Sequence, residues 1–232
     1  LDYAFEIEHF DRHLGIMLKI LEESGELDNT LVVVTSDNGM PFPRVKSNAY
    51  EMSNHLPLAV MWARELKNPG RVVDDYVNFI DFAPTFLEVA GIEAEGSGMR
   101  SVTGRSLTNI LFSRKEGTVN PERDHTLIGK EKNDPGRAGD AGYPIRGLVK
   151  GEYLYIVNHE PSRWPSCNPE CGYTGVDGSP TKTVVLDTRL TGNHDFWELN
   201  FAKRPAEELY QIGDDPFCLN NLAEKPEYDE IG

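Results

Sequence analysis

The stretch Leu31-Val32-Val33-Val34-Thr35-Ser36-Asp37-Asn38-Gly39 decides the fold. Its first five residues are apolar or β-branched and do not alternate with polar ones, which predicts a strand covered on both faces, as in a parallel sheet. Helix-spaced apolar residues precede it over residues 5–24, and Gly25 is placed to end that helix. A helix followed by a buried strand predicts an α/β layered fold.

Asp37, Asn38 and Gly39 follow the predicted strand directly. In an open α/β sheet, sites form beyond the carboxyl ends of the strands. A carboxylate and an amide oxygen are hard ligands that suit calcium or magnesium, which predicts a metal site here. Because Asp, Asn and Gly are also common turn residues, the tetrapeptide Ser36-Asp37-Asn38-Gly39 taken alone favours a tight turn over a metal site.

The pattern on either side of residue 113 predicts two parts. Residues 1–113 continue with a second apolar strand at 58–62, a helix at 81–90 capped by Asp81, and a short helix near 107–112. This part is predicted to belong to an α/β domain.

Residues 114–232 are richer in turn residues and short strands. Residues 145–149 and 153–157 predict a hairpin, residues 158–182 a long loop, and residues 208–212 a further strand. We therefore expect a small α+β subdomain with an antiparallel sheet.

Composition excludes several classes of function. The 232 residues carry a net charge of −15, and no segment holds 18 uninterrupted apolar residues. We expect neither nucleic acid nor a membrane span. The three cysteines are Cys167, Cys171 and Cys218, and either one disulfide within C-x3-C or three free thiols is possible. Because the count is odd and no histidine is close by in sequence, we expect no zinc site.

A series of motifs in one order resembles the sulfatase family, which belongs to the alkaline-phosphatase-like superfamily. The resemblance covers residues 5 to 228 and rests on Thr35-Ser36-Asp37-Asn38-Gly39, Lys46-Ser47-Asn48-Ala49-Tyr50-Glu51, Asp81-Phe82-Ala83-Pro84-Thr85-Phe86-Leu87, Thr103-Gly104-Arg105-Ser106-Leu107, Glu208-Leu209-Tyr210, Asp215-Pro216 and Asn221-Leu222-Ala223. Met40-Pro41-Phe42-Pro43, Tyr143-Pro144-Ile145-Arg146 and Arg163-Trp164-Pro165 are similar to the branch that contains N-sulfoglucosamine sulfohydrolase (heparan N-sulfatase).

The resemblance implies a hydrolase that removes sulfuric ester or sulfamate groups from sulfated glycans. It implies that Asp37 and Asn38 bind calcium, and that Lys46 is catalytic because it binds the sulfate group. Without the resemblance, Lys46 would be read as an ordinary surface lysine.

The resemblance also indicates that part of the catalytic apparatus lies outside this chain. Sulfatases use a formylglycine made from Cys or Ser in C/S-x-P-x-R, and Cys167-Asn168-Pro169-Glu170-Cys171 lacks the arginine. The Asp-Asp pairs at 74–75 and 214–215 do not end a buried strand. With no initiator Met at Leu1, we expect a carboxyl-terminal portion that is inactive alone and whose partner is the missing amino-terminal half.

Three further residues are weaker candidates for substrate binding. His55 follows Lys46 along the chain, while Lys130 and Arg163 lie in predicted loops. A local hydrogen bond explains His55 equally well, and surface charge explains the other two slightly better.

Two other functions remain open from the sequence. One is a phosphoryl or phosphonate hydrolase of the same superfamily, and the other is a non-catalytic module that binds a glycan or a protein partner. An upstream C-x-P-x-R would separate the first from a sulfatase. Family resemblance implies export to the periplasm or cell surface.

Overall fold

The computed structural model describes residues 2–132, 137–165, 168–170, 172–192, 194–229 and 231. The chain divides into two compact units. Unit 1 comprises residues 1–35, 58–75 and 79–121, and unit 2 comprises residues 36–57, 76–78 and 122–232. The sequence-based boundary at residue 113 stays a prediction about domains.

Unit 1 begins with helix α1, Asp2–Glu23, none of whose residues is buried. The predicted helix is confirmed, and Gly25 follows its end with φ of 76°, a conformation that glycine adopts without strain. The helix is amphipathic in sequence. Its residues Leu14, Leu18 and Leu21 are half-buried, whereas Phe5, Phe10, Met17 and other apolar side chains are exposed.

The predicted buried parallel strand is wrong in its pairing and its burial. Strand β1, Val32–Thr35, pairs antiparallel with β2, Leu58–Met61, in a two-stranded sheet. The residues of β1 are only half-buried, and Leu58 and Ala59 are exposed. Two strands have too little surrounding structure to cover both faces, although the sequence is apolar enough for it.

The remainder of unit 1 is built around helix α3, Phe82–Val89, and helix α4, Thr108–Leu111. Asp81 precedes α3 but makes no side-chain cap, so that prediction is wrong. Its carboxylate accepts instead from the backbone N–H of Arg105, at 2.8 Å.

A second bond joins the same two motifs, because the Thr85 hydroxyl accepts from Leu107 N–H at 2.8 Å. A Cβ at Gly104 would overlap the Ile80 carbonyl. The D-x-x-P-T and T-G-R-S-L motifs are therefore held together by these two hydrogen bonds and by close packing. Buried Leu107, Ile110 and Leu111 lie in or just after the second motif.

Unit 2 contains a four-stranded antiparallel sheet in the order β3-β4-β5-β6. Its strands are His125–Lys130, Ile145–Lys150, Tyr153–Asn158 and Glu207–Gln211. The predicted hairpin and last strand are confirmed, whereas β3 was not predicted. Alternate residues of β5 are buried, including Leu154 and Ile156 at 0% and 1% exposure, which is the period of a strand with one face on a core.

Among its described residues, unit 2 also contains the α-helices α2, Glu51–Asn54, α5, Pro180–Thr188, and α6, Asp195–Phe201. The predicted long loop therefore ends in α5, which is capped by the Ser179 hydroxyl accepting from Lys182 N–H. Buried Val176, Trp197 and Phe201 form a cluster separate from the sheet core.

Among the helices of the described residues, none combines the length and apolar content needed to cross a membrane. Cys218 is a buried free thiol. Cys167 and Cys171, with the open question of their pairing, lie outside the described residues.

Candidate functional site

The Asp37-Asn38-Gly39 segment forms a bend that follows β1 in the chain. The Ser36 hydroxyl donates to the Asn38 carbonyl oxygen at 2.7 Å and tightens this bend. Asp37 is exposed and Asn38 is half-buried. The segment is thus both the turn that its residue types allow and a place where two oxygen-bearing side chains are accessible.

Gly39 is required by close packing. A Cβ at this position would lie 2.6 Å from the Met52 carbonyl oxygen and 2.8 Å from Val45 Cγ1. Val45 precedes Lys46, so the glycine brings the Asp37-Asn38 bend against the segment that carries Lys46. The sequence predicts a glycine here for a sharp turn, and the structure adds this second reason for it.

Lys46 lies on the loop that leads to α2, with its side chain 32% exposed. Its ammonium group is 2.8 Å from Asp177 Oδ1. The next residue, Ser47, has φ of 68° and donates its hydroxyl proton to the Gly175 carbonyl at 2.5 Å. The predicted sulfate-binding lysine is therefore accessible and already paired with a carboxylate.

A buried carboxylate fixes the end of the Lys46 loop. Glu208 is 3% exposed. It accepts the hydroxyl protons of Tyr50 at 3.0 Å and Tyr210 at 2.6 Å, and an amide proton of Asn158 at 2.7 Å. The K-x-x-x-Y-E and E-L-Y motifs thus meet through a Tyr50–Glu208 bond, much as the two motifs of unit 1 do.

Two arginines surround the Tyr50 ring. The guanidinium carbon of Arg44 lies 4.0 Å from the ring centroid, and that of Arg204 lies 5.4 Å from it. Arg44 donates to the carbonyls of Leu199 and Phe217 at 2.7 and 3.3 Å, and also to that of Cys218. Arg44 has φ of 64°, which is a strained backbone conformation for a residue other than glycine. The contacts of its side chain stabilise this conformation.

The pKa values of this cluster follow from its burial. Desolvation raises the pKa of Tyr50 to about 12 and also raises that of Tyr210. Burial alone would lower the pKa of Arg204, but Tyr50 and Glu208 beside it raise the pKa above its ordinary value. Both tyrosines therefore remain protonated donors to the Glu208 carboxylate at neutral pH.

The three weaker candidates make other contacts. His55 Nδ1 lies 2.6 Å from Glu51 Oε1, with the His55 side chain 79% exposed. Arg163 donates to the Gly142 carbonyl at 2.9 Å and pairs with Glu160 at 3.3 Å. Lys130 ends strand β3, not a loop as predicted, and desolvation lowers its pKa. These contacts give none of the three a link to Lys46, and their role in substrate binding stays a prediction.

A groove of about 740 Å³ lies on unit 2 beside the Phe42-Pro43 segment. Apolar side chains dominate its walls: Phe42, Pro43, Val184, Phe196, Phe217 and Leu219. Arg44, Thr181 and Asn200 supply a polar part of the lining, and Lys46 is not among the lining residues.

Sequence reasoning missed Asp177, Arg44 and Arg204. The E-L-Y motif pointed to Glu208 but not to its bond with Tyr50, 158 residues earlier in the chain. No sequence motif pointed to Asp177, because it lies in a long loop 131 residues after Lys46, its partner in the ion pair. An acidic residue beside a Gly-rich turn is usually a solvated turn residue.

Comparison with known proteins finds a family match for the first part of the chain. The sulfatase family model matches residues 2–92. The chain is 28% identical to human N-sulphoglucosamine sulphohydrolase, over 97% of this chain and 43% of that protein. It is 25% identical to an ulvan-active sulfatase of Formosa agariphila, over 96% of this chain and 34% of the relative. The chain thus spans less than half the length of these curated relatives.

Solved structures share the fold. A complex of BT4656 with its substrate D-glucosamine-2-N,6-O-disulfate aligns with a TM-score of 0.62 and 23% identity, over 95% of this chain and 35% of that one. The phosphonate monoester hydrolase of Agrobacterium radiobacter aligns with a TM-score of 0.60 and 18% identity, over 95% and 36%. At these identities the likeness establishes the fold, which ester hydrolases of different chemistry share. The chain therefore has an alkaline-phosphatase-like fold, and its residues 2–92 match the sulfatase family model.

Proposed function

We propose that this chain is the carboxyl-terminal portion of a sulfatase that removes sulfate from a sulfated glycan, with N-sulfated glucosamine as the leading substrate class. The observation that carries the proposal is the accessible Lys46, held on a rigid loop that Gly39 joins to the Asp37-Asn38 bend. Similarity to the human sulphohydrolase over 97% of this chain supports the substrate class.

Lys46 supplies the positive charge in this proposal. A protonated amine binds a sulfate oxygen and stabilises the charge that grows on the leaving group as the bond to sulfur breaks. The Tyr50–Glu208 bond and the Arg44 contacts hold the loop in one position, so little ordering is needed when substrate binds.

Calcium fits the residue types at the bend. The Asp37 carboxylate and the Asn38 amide oxygen are hard donors, and Asp37 is exposed. Among the residues described, no group of three or more His, Cys, Asp or Glu side chains could hold a metal. Since calcium takes about six to eight oxygens, we propose that these two residues form part of a site that other residues of the enzyme complete. A bound calcium would supply Lewis-acid stabilisation of the nucleophile.

The nucleophile, a formylglycine, would then be carried by the amino-terminal part of the same enzyme, and we expect the 232-residue chain alone to lack activity. Export to the periplasm or cell surface is the proposed location. The sulfatase reading is favoured over a phosphonate hydrolase because the curated relatives that cover most of this chain are sulfatases.

The test is hydrolysis by the intact protein that carries this chain. N-sulfoglucosamine and a phosphonate monoester are supplied in parallel, and release of sulfate and of the phosphonate's alcohol is measured. We expect sulfate release in the first reaction, with Lys46→Ala lowering kcat/KM by about a hundredfold or more.

Lys67→Ala is the matched control, because Lys67 is an exposed lysine of unit 1. It should keep the activity of the parent protein. Turnover of the phosphonate alone, or full activity in Lys46→Ala with an unchanged melting temperature, would contradict the proposal.

A further inference from the structure

The ion pair of Lys46 joins two residues that are both accessible to a ligand. Lys46 Nζ is 2.8 Å from Asp177 Oδ1, with side chains 32% and 54% exposed. Within the described part of the chain, neither charged group has another ion-pair partner. Lys46 has three donors and Asp177 two oxygens, so each keeps hydrogen-bonding capacity for a molecule that binds beside the pair.

Asp177 is held in place by a well-anchored segment. Val176, its neighbour, is 2% exposed. Lys182 Nζ donates to the carbonyls of Tyr173 and Val176, each at 2.7 Å. With the Ser47–Gly175 bond on the other side, the backbone near Asp177 is fixed while its carboxylate stays exposed. This distinguishes the pair from an ordinary surface salt bridge between two mobile side chains.

A carboxylate at this position has opposite effects on two kinds of ligand. An anion that reaches Lys46 approaches a second negative charge a few ångströms away, and like charges repel strongly at such distances. Free sulfate offers nothing in return, because it has no donor to give the carboxylate. A sulfated sugar also brings hydroxyl or N–H donors, which can bond to Asp177.

We propose that Asp177 is a specificity-determining residue that makes the Lys46 site favour sulfated sugars with a hydrogen-bond donor beside the sulfate over free sulfate. The inference rests on the proposed function, because it takes Lys46 as the sulfate-binding residue. It adds the recognition element that separates the substrate from one of the reaction's own products, inorganic sulfate. In this proposal, Asp177 repels free sulfate and accepts a hydrogen bond from the sulfated sugar.

The test uses Asp177→Asn in the intact protein and measures inhibition constants of inorganic sulfate and KM for N-sulfoglucosamine. Asparagine keeps the shape and removes the charge. We expect sulfate to inhibit about tenfold more tightly and KM for the sugar to rise about threefold or more. Asp177→Glu should return both values towards the parent, since it restores the charge.

Asp187→Asn serves as the matched control, because Asp187 is an exposed aspartate on α5 away from this ion pair. It should change neither constant. Unchanged constants in Asp177→Asn, or equal shifts for sulfate and sugar, overturn the inference. Failure of the proposed function is distinguishable, since it shows as absence of sulfate release by the parent protein.

Discussion

Units 1 and 2 differ in how completely they bury their apolar residues. In α1 of unit 1, the side chains of Phe5, Ile7, Phe10, Ile16, Met17 and Ile20 are each 50–59% exposed. In unit 2, Leu154, Phe201 and Leu209 are at most 1% exposed. Contiguous exposed apolar side chains of this kind are typical of an interaction surface.

This difference in burial shows that the segment matching a family model need not be the segment with the best-buried core. The sulfatase family model covers residues 2–92, which include the uncovered helix. The later residues, beyond that match, contain most of the buried side chains of unit 2. The chain spans 43% of the human relative, and the exposed apolar side chains of α1 lie within the part that the family model matches.

The largest expected effect compares two phenylalanines. Phe201→Ala removes a fully buried ring and should lower the free energy of unfolding by about 3–5 kcal/mol. Phe10→Ala removes a ring that is 51% exposed and should cost no more than about 0.5 kcal/mol. Urea unfolding of the 232-residue chain measures both, and equal losses would remove the distinction between the units.

The second effect is a loss of stability at alkaline pH that comes from unit 2. Burial raises the pKa of Tyr50 to about 12 from its ordinary value of 10.0. Above pH 10 the unfolded chain releases this proton while the folded chain retains it, so stability is complete below pH 10 and is lost as pH rises towards 12. The full loss from Tyr50 is about 2–3 kcal/mol.

Urea midpoints between pH 8 and 11 measure this effect. Tyr50→Phe starts from a lower stability, because Glu208 loses a donor, but its stability should fall less steeply above pH 10. Parallel pH profiles for the two proteins would show that Tyr50 does not carry the effect.

Local patterns in the sequence were enough to predict α1, α3, the β4–β5 hairpin and β6. The pairing of β1 was predicted to be parallel, but it is antiparallel. An apolar run without alternation indicates a strand, but it does not indicate which strand pairs with it. Helices α5 and α6 were missed inside a region of mixed polar composition. Their stability depends on the contacts of Trp197 and Phe201, which no local pattern displays.

The third prediction concerns the candidate site itself. Gly39→Ala places a Cβ 2.6 Å from the Met52 carbonyl, and relieving that contact should cost about 1–3 kcal/mol. Gly15→Ala, on exposed α1, meets no atom within 4 Å and should stabilise the helix by about 0.5–1 kcal/mol. Thermal unfolding distinguishes the two signs; a neutral Gly39→Ala would show that the bend relaxes freely.

The sequence was enough to propose residues for the candidate site, but it did not show which residues they contact. The motif register placed Asp37, Asn38 and Lys46 together along the chain, and Gly39 against Val45 is consistent with that. Asp177 and Arg204 come from distant segments, where only the folded chain shows which charges meet.

The smallest expected effect is on an exposed ion pair of unit 1. Lys19 and Glu23 are 3.6 Å apart, with side chains 72% and 65% exposed. Lys19→Ala should change the free energy of unfolding by less than about 0.5 kcal/mol. A larger loss, measured by urea unfolding in low and high salt, would mean that α1 is more constrained than its exposure indicates.

The bond between Tyr50 and Glu208 sets an order of events during protein synthesis. The two residues are 158 positions apart, and a ribosome adds about 5–20 residues per second, so roughly 8–30 s separate them. Throughout that interval the Lys46 loop exists without its buried anchor. A chain that ends before Glu208 would therefore lack the hydrogen bond to Tyr50 that holds this loop, even though the loop's own sequence is intact.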